Sequence, residues 1–488
     1  MESGLMVMSR SFYSIDSHCG YCNGKKDDHF ALESQYTNRS TNDKSNSHSM
    51  GFMVEQMTCS QYDFMINKGC RRSGCYVYKP DLLRSCCRLY TIRTTMSHLK
   101  LEKNHRKVIN RFMREIGDDH DQPMELIKKQ SKNQERFDIN NLIRAEQKSS
   151  RFKTVFEPSA FSKEKFKLYK KYQIHVHNDA PEDVTETSFT RFLCQTPFED
   201  SVVFGQNEEW DELNNWINNW SESTAKKMRH RRIGPTHVCY YIDGILVAFS
   251  VLDFLPTGVS SIYFVWDPDY AHLSLGTLSG LREIQMCEQL SLGYYYLGFY
   301  IDDCPKMSYK SKFGGELLDL SNNLYVPLEK VKPLIKHGRL FVLGEEGFEN
   351  DKEFKMDNGS PKNWDNRKIS NVSEKIYGNE LIYSCAANDL KLLKNKYHID
   401  FGLSKYGPES KRPSIPAVFP GLKPLWQIID LLDDTTLNNR LSIIIFDNAV
   451  GIPRRSKFVQ LNSFEKSRVI EFVRLFGPDF IQNSIIFF

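Results

Sequence analysis

The stretch HVCYYIDGILVAFSVLDFLPTGVSSIYFVW, residues 237–266, decides how the middle of this 488-residue chain folds. It is built almost entirely from β-branched, aromatic and aliphatic residues, broken twice by turn formers: Asp243-Gly244, then Pro256-Thr257-Gly258. Asp-Gly supplies the two positive φ angles of a two-residue hairpin, so the stretch predicts three strands joined by two tight turns. LSLGTLSGLREIQMCEQLSLG (273–293) follows with helical spacing, and YYYLGFYI (294–301) returns to strand composition.

Strand, strand, strand, helix, strand is the core order of the GNAT acyltransferase fold, so the predicted class is mixed α+β with a GNAT-like core. Working outward, LEKNHRKVINRFMREI (101–116) reads as a charged helix, and PSAFSKEKFKLYKKYQIHVH (158–177) as a second one with Ser162 as its N-cap. YTNRSTNDKSNSHSMG (36–51) has the Ser/Asn-rich, aperiodic composition of a loop. RLSIIIFDNAVGI (440–452) lies in a mixed tail that carries no readable motif. The expected division is a Cys-rich module over 1–97, a basic helical connector over 98–154, a GNAT-like domain over 155–345 and a C-terminal extension over 346–488.

Seven of the twelve cysteines precede residue 88. Cys19 and Cys22 form a CxxC in HCGYC, and Cys86 and Cys87 form a vicinal pair in KPDLLRSCCRLYTIR. A CxxC sets two thiolates on one turn, and the second pair completes a four-sulfur inventory suited to zinc or an iron–sulfur cluster. The alternative is a set of buried, reduced core thiols. Cys59, Cys70 and Cys75 are reserve ligands.

No charged-then-apolar leader opens the chain and no run approaches the ~18 apolar residues of a membrane span, so the expectation is a cytoplasmic or nuclear protein. A Cys cluster in such a reducing compartment means metal or catalysis more often than disulfides. The net charge of +4 decides little. Its distribution says more: residues 98–172 hold nineteen Lys and Arg against eleven Asp and Glu, and the run KKMRHRR spans 226–232. Clustered cations of this kind are either a solvated face or contacts to nucleic-acid phosphates.

HCGYC, MTCSQYDFMINKGCRRSG (57–74), the CC segment, VSSIYFVWDPDYAHLSLGTLSGLREI (259–284) and YYYLGFYIDDCPKMSYKSKFGGELLD (294–319) occur in that order. Together they resemble the eukaryotic arginyl-tRNA-protein transferase family in its fungal form. The resemblance implies transfer of arginine from Arg-tRNA to the N-terminal amine of proteins beginning with Asp, Glu or oxidised Cys, which creates an N-degron. After KMSYK the chain reads KFGGELLD where many relatives carry an Arg/Tyr-Pro-Ser stretch.

The chemistry of that reaction selects candidates. An aminoacyl ester is already activated, so the need is for a neutral amine, an oriented carbonyl and help for the oxyanion. No covalent nucleophile is required, which leaves Cys194, Cys239, Cys287 and Cys304 as packing residues. Asp267 of WDPDY, matched to the family's aspartate, leads the catalytic candidates, with Asp269, His237 and Tyr263 beside it; the alternative for Asp267 is an Asx turn before Pro268. Lys68, Arg71 and Arg72 suit an acidic acceptor side chain, and Ser274, Tyr296 and Tyr300 are further substrate-binding candidates. Lys226, Lys227, Arg229, Arg231 and Arg232, with Lys306, Tyr309 and Lys310, are the tRNA-binding candidates, aromatics among the cations offering stacking for unpaired bases. HLSLGTLSG lacks the glycine spacing and leading basic residue of a CoA pyrophosphate loop, so CoA is not expected. A CoA-dependent N-acyltransferase and a non-catalytic, metal-stapled nucleic-acid-binding protein remain the alternative readings.

Overall fold

In the computed structural model, the chain is described over residues 4–22, 47–117, 138–221, 232–344, 364, 367–402, 413–446 and 451–488. It forms two compact units: residues 1–92, 299–311 and 316–488 make the first, residues 93–298 with 312–315 the second.

The second unit contains the stretch that opened the sequence reading. Gly234–Ile242, Ile245–Leu255 and Gly258–Trp266 are consecutive antiparallel strands, and Phe152–Pro158 flanks the first of them. Asp243 and Gly244 take φ of 51° and 77°, the pair of left-handed residues that a two-residue hairpin requires. The helix Leu275–Gln289 then returns the chain, so Tyr294–Tyr300 pairs parallel to Gly258–Trp266. That ladder is short, running from Gly258 opposite Tyr294 to Ser260 opposite Tyr296. The helix Lys163–Tyr172 starts at Ser162, whose side chain accepts from the Lys165 amide, as its sequence predicts. One core of this unit packs Leu168, Tyr169, Tyr172, Phe189 and Leu193 against Cys239, Phe249, Val251 and Val265 of the strands.

The first unit is organised by a second mixed sheet. Its strand order is Pro453–Lys457, Ser442–Phe446, Ile485–Phe487, Val7–Ser9, Ser47–Gln56, Tyr76–Pro80, Arg71–Ser73, with Phe12–Asp16 also pairing with Ser47–Gln56. The C-terminal extension, to which the sequence reading attaches no role, thus contributes three strands beside the N-terminal ones. Met8 and Ile445 both lie in register with Ile486, and all three are buried. Ring contacts of Phe52 with Phe472 and Phe476 pin the same sheet to the helix Ser463–Phe476. The predicted loop over 36–51 needs correction at its end: Ser47–Gly51 stand in the long strand, paired with Phe12–Asp16, because His48 and Met50 point into the core. Its remainder lies outside the described residues. No helix among the described residues is long and apolar enough to cross a membrane.

Candidate functional site

The cysteine pairs are brought together by polar ties between the segments that carry them. Tyr13, six residues before Cys19, donates from its hydroxyl to Asp81 at 2.8 Å. Asp81 in turn caps the turn that precedes the CC pair, accepting from the Leu83 amide at 3.0 Å and from the Arg84 guanidinium at 2.7 Å. Ser85 is bonded to both backbone groups of His48. The result is that the sulfurs of Cys19, Cys22, Cys86 and Cys87 all lie within 4.8 Å of one another, with Cys22 and Cys86 at 3.5 Å. Cys59, Cys70 and Cys75 are not part of the group.

These four residues fit a single metal ion. Zinc–sulfur bonds of about 2.3 Å in a tetrahedron separate the sulfurs by roughly 3.8 Å, and the cluster needs little movement to reach that. Hydrogen bonds from Cys86 and Cys87 push the Cys19 thiol below its ordinary range, while hydrogen bonds with Cys19 and Cys87, together with burial, push Cys86 up.

The cationic candidates of the first unit are interior residues. Arg71 is 4% exposed; its guanidinium donates to the carbonyls of Cys70 at 2.7 Å and Ile66 at 3.3 Å and lies 5.2 Å from the Phe299 ring centre. Arg72 is equally buried, over the Tyr62 ring and bonded to the Gly74 carbonyl. Lys310 is buried too, its ammonium donating to the Phe299 carbonyl at 2.8 Å, and burial together with the Arg71 charge brings it down to about 7. Lys68 has different neighbours, its ammonium 5.4 Å above the Phe64 ring. Tyr300 is buried, with its hydroxyl on Asp302 at 2.6 Å. Lys306 and Tyr309 are exposed.

In the second unit, Asp267 ends the strand Gly258–Trp266 and caps the short helix Pro268–Leu273. Its Oδ1 accepts from the Asp269 amide at 2.9 Å, the Asx turn weighed from sequence, and from the Lys171 ammonium at 2.5 Å. Lys171 also reaches Asp269 at 2.6 Å, and these carboxylates raise its pKa against the opposing effect of partial desolvation. His237 is fully buried: its Nδ1 lies 2.9 Å from the Lys165 ammonium, its Nε2 3.0 Å from Ser159 Oγ and 3.1 Å from the Leu193 carbonyl. Tyr263 donates to Gln173 at 3.0 Å and meets His177 at 3.2 Å. Ser274 adopts φ 55° ahead of the helix Leu275–Gln289 and accepts from Arg111 at 2.7 Å. Tyr296 is buried against Thr257.

Arg232 departs most from its sequence reading as part of a surface footprint. It is 1% exposed, its guanidinium bonded to the carbonyls of Val202, Val203 and Pro235 and stacked on Trp210, so it ties the strand Gly234–Ile242 to its neighbours. Lys226, Lys227, Arg229 and Arg231 lie outside the described residues. Sequence reasoning missed Lys171, Gln173 and His177, which adjoin Asp267 and Tyr263. No sequence signal marks them; the structure continues the 163–172 helix into one π turn, Gln173–His177, a distortion frequent at functional sites.

The sequence matches two family descriptions: Arginine-tRNA-protein transferase, N terminus, over residues 17–107, and Arginine-tRNA-protein transferase, C terminus, over residues 164–319. It is 38% identical over 499 residues to Arginyl-tRNA--protein transferase 1 of Saccharomyces cerevisiae, covering 96% of this chain and 95% of that one. Arginyl-tRNA--protein transferase 1 of Drosophila melanogaster is 43% identical over 159 residues, 31% of this chain and 28% of that one. A Campylobacter jejuni protein named Aspartate/glutamate leucyltransferase is 41% identical over 76 residues, 16% of this chain and 32% of that one.

Proposed function

Because the chain belongs to the arginyl-tRNA–protein transferase family, it transfers arginine from Arg-tRNA to protein N-termini, and we propose that its preferred acceptors begin with Asp, Glu or oxidised Cys. The match to the yeast relative over nearly the whole chain carries the activity. In the reaction the acceptor's neutral α-amine attacks the ester carbonyl. The N–C bond forms, the C–O bond to the terminal ribose breaks, and the ribose hydroxyl leaves with a proton while the amine loses one.

Asp267 is the leading residue for receiving that proton. Among the described residues both hydrogen bonds of its side chain fall on Oδ1, which leaves Oδ2 to accept from an ammonium. Lys171 fixes the carboxylate in direction. His237, enclosed on both ring nitrogens, serves the packing of the Lys165–Glu157 pair, and Tyr263 orients the Gln173–His177 turn.

Acceptor selection rests on buried cations. Arg71 and Lys310 lie close enough for their charges to interact, and the hydrogen bond of Lys310 goes to a carbonyl rather than a carboxylate. Such a pair attracts an acidic side chain strongly, since burial removes the screening that water provides. The name of the Campylobacter relative gives the same two acidic residues for that protein. Lys306 and Tyr309, both exposed, suit contact with the donor tRNA, together with the basic run that ends at Arg231.

The four thiolates take one zinc ion in this reading. A polynuclear iron–sulfur core interposes its own irons and sulfides and spreads its ligands beyond the spacing of these sulfurs. The ion would supply a structural staple between residues 19–22 and 86–87. The parallel ladder that stops after three residues, with Asp267 at the end of one strand, supports a GNAT-like core, and a reducing, cytoplasmic or nuclear setting suits the thiolate site. Labelled arginine, tRNA, arginyl-tRNA synthetase and peptides beginning with Asp, Glu or Ala test the proposal: label should enter the first two, and equal labelling of the third would remove the acidic preference.

A further inference from the structure

A cavity of about 560 Å3 in the first unit is lined by residues of Phe64–Lys68, Leu320–Asn323, Gly421–Gln427 and Arg474–Phe480. Most of these residues come from the C-terminal extension, and apart from Lys68 none enters the reaction described above. Lys68, Lys423 and Arg474 bring three positive charges to its wall against the single carboxylate of Asp479.

The cations are built in at different depths. Lys423 stands exposed at the rim. Arg474 is 3% exposed and donates to the carbonyls of Lys423 at 3.0 Å and Ala417 at 2.5 Å, so it fastens the 416–423 segment while adding charge beneath it. Lys79, fully buried, lies behind the same wall: a Cβ on Gly421, whose φ is +82°, would stand 2.8 Å from its ammonium. Phe64, Phe476 and Phe480 also line the cavity as an aromatic cluster, with Phe480 centred 4.5 Å from Phe64 and 4.8 Å from Phe476. Gln427 adds an amide to the lining.

We propose that this cavity binds a free, phosphate-bearing small molecule of mononucleotide size. Three cations against one carboxylate leave an excess of two, which suits a phosphomonoester carrying about −1.5 to −2 charges at neutral pH better than a monocarboxylate. The volume falls within the roughly 300–1,000 Å3 of ligand sites and exceeds what a bare ion needs. The aromatic side takes the apolar or planar remainder of the ligand, and the lysines hold the phosphate as point charges.

Calorimetric titration of the full chain with AMP, adenosine and inorganic phosphate tests this. AMP should bind saturably and adenosine at least about tenfold more weakly. Lys423→Ala should weaken AMP about tenfold, Lys423→Arg should restore it, and arginine transfer should be unchanged in both variants because Lys423 lies outside the reaction residues. An absence of AMP and phosphate binding, equal affinity for AMP and adenosine, or an unaltered affinity in Lys423→Ala would each overturn the proposal. A final titration in the presence of uncharged tRNA separates the sources of phosphate: undiminished AMP binding supports a free small molecule, and competitive displacement by tRNA would assign the cavity to nucleic acid and overturn it.

Discussion

The cysteine cluster of the first unit and the Asp267 region of the second are built on opposite plans. Four thiols converge from segments more than sixty residues apart, and Cys22 meets Cys86 sulfur to sulfur at 3.5 Å. Asp267, by contrast, is embedded in ordinary structural duties: it caps a helix and pairs with Lys171. His237 is enclosed further, by Lys165, Ser159 and Leu193. A soft-ligand site therefore declares itself by residue type and proximity. A carboxylate acting on a proton is recognisable only through what its neighbours leave available to it.

Disrupting the cluster should have the largest effect. In Cys86→Ser/Cys87→Ser, metal content should fall from about one ion per chain to none, and the first unit should lose several kcal/mol or more of stability, since metal binding is coupled to folding. Elemental analysis and thermal unfolding would check both, and retained metal would return Cys59, Cys70 and Cys75 to consideration. The same test sharpened on the other side is Asp267→Asn. A proton acceptor lost from the reaction should lower kcat about 100-fold or more at neutral pH, whereas a residue that only caps the helix would leave kcat nearly intact, since Asn caps about as well as Asp.

Arg71→Ala should reduce the preference for Asp- over Ala-initiated peptides by about ten- to a hundredfold, the worth of one charge-assisted contact of roughly 1.5–3 kcal/mol. Steady-state kcat/KM for the two peptides measures it. Lys310 acts on stability through its own titration. Its folded-state pKa of about 7 lies below the ordinary lysine value of 10.5, so between those pH values the unfolded chain binds more protons. Stability therefore rises with pH across that window and is lowest, and constant in this contribution, below pH 7. Lys310→Met should remove that rise, a difference of roughly 3 kcal/mol between pH 7 and pH 9.5, because the lost bond to Phe299 is common to both pH values. Denaturant unfolding at pH 7 and pH 9.5 would show it.

Much of the second unit was legible because its signals are local. Asp243-Gly244, Ser162 and the change from period two to helical spacing at Leu275 each act within a few residues, and the four cysteines that cluster were legible by residue type. What escaped the sequence was non-local. Nothing near Ile485–Phe487 announces a parallel partner in Val7–Ser9, almost the length of the chain away. Lys171 and Asp267 meet across ninety-six residues, and the burial of Arg71, Arg232 and Lys310 depends on carbonyls that only the folded backbone aims at them. A basic residue in a motif reads the same whether it faces solvent or the interior.

X-ray absorption at the metal edge on the purified full chain tests the central claim, that four cysteine thiolates hold a single ion, most directly. The account predicts one zinc per chain with four sulfur neighbours at about 2.3 Å and no second metal in the next shell. A metal–metal distance in the spectrum, or oxygen and nitrogen ligands in place of sulfur, would contradict it.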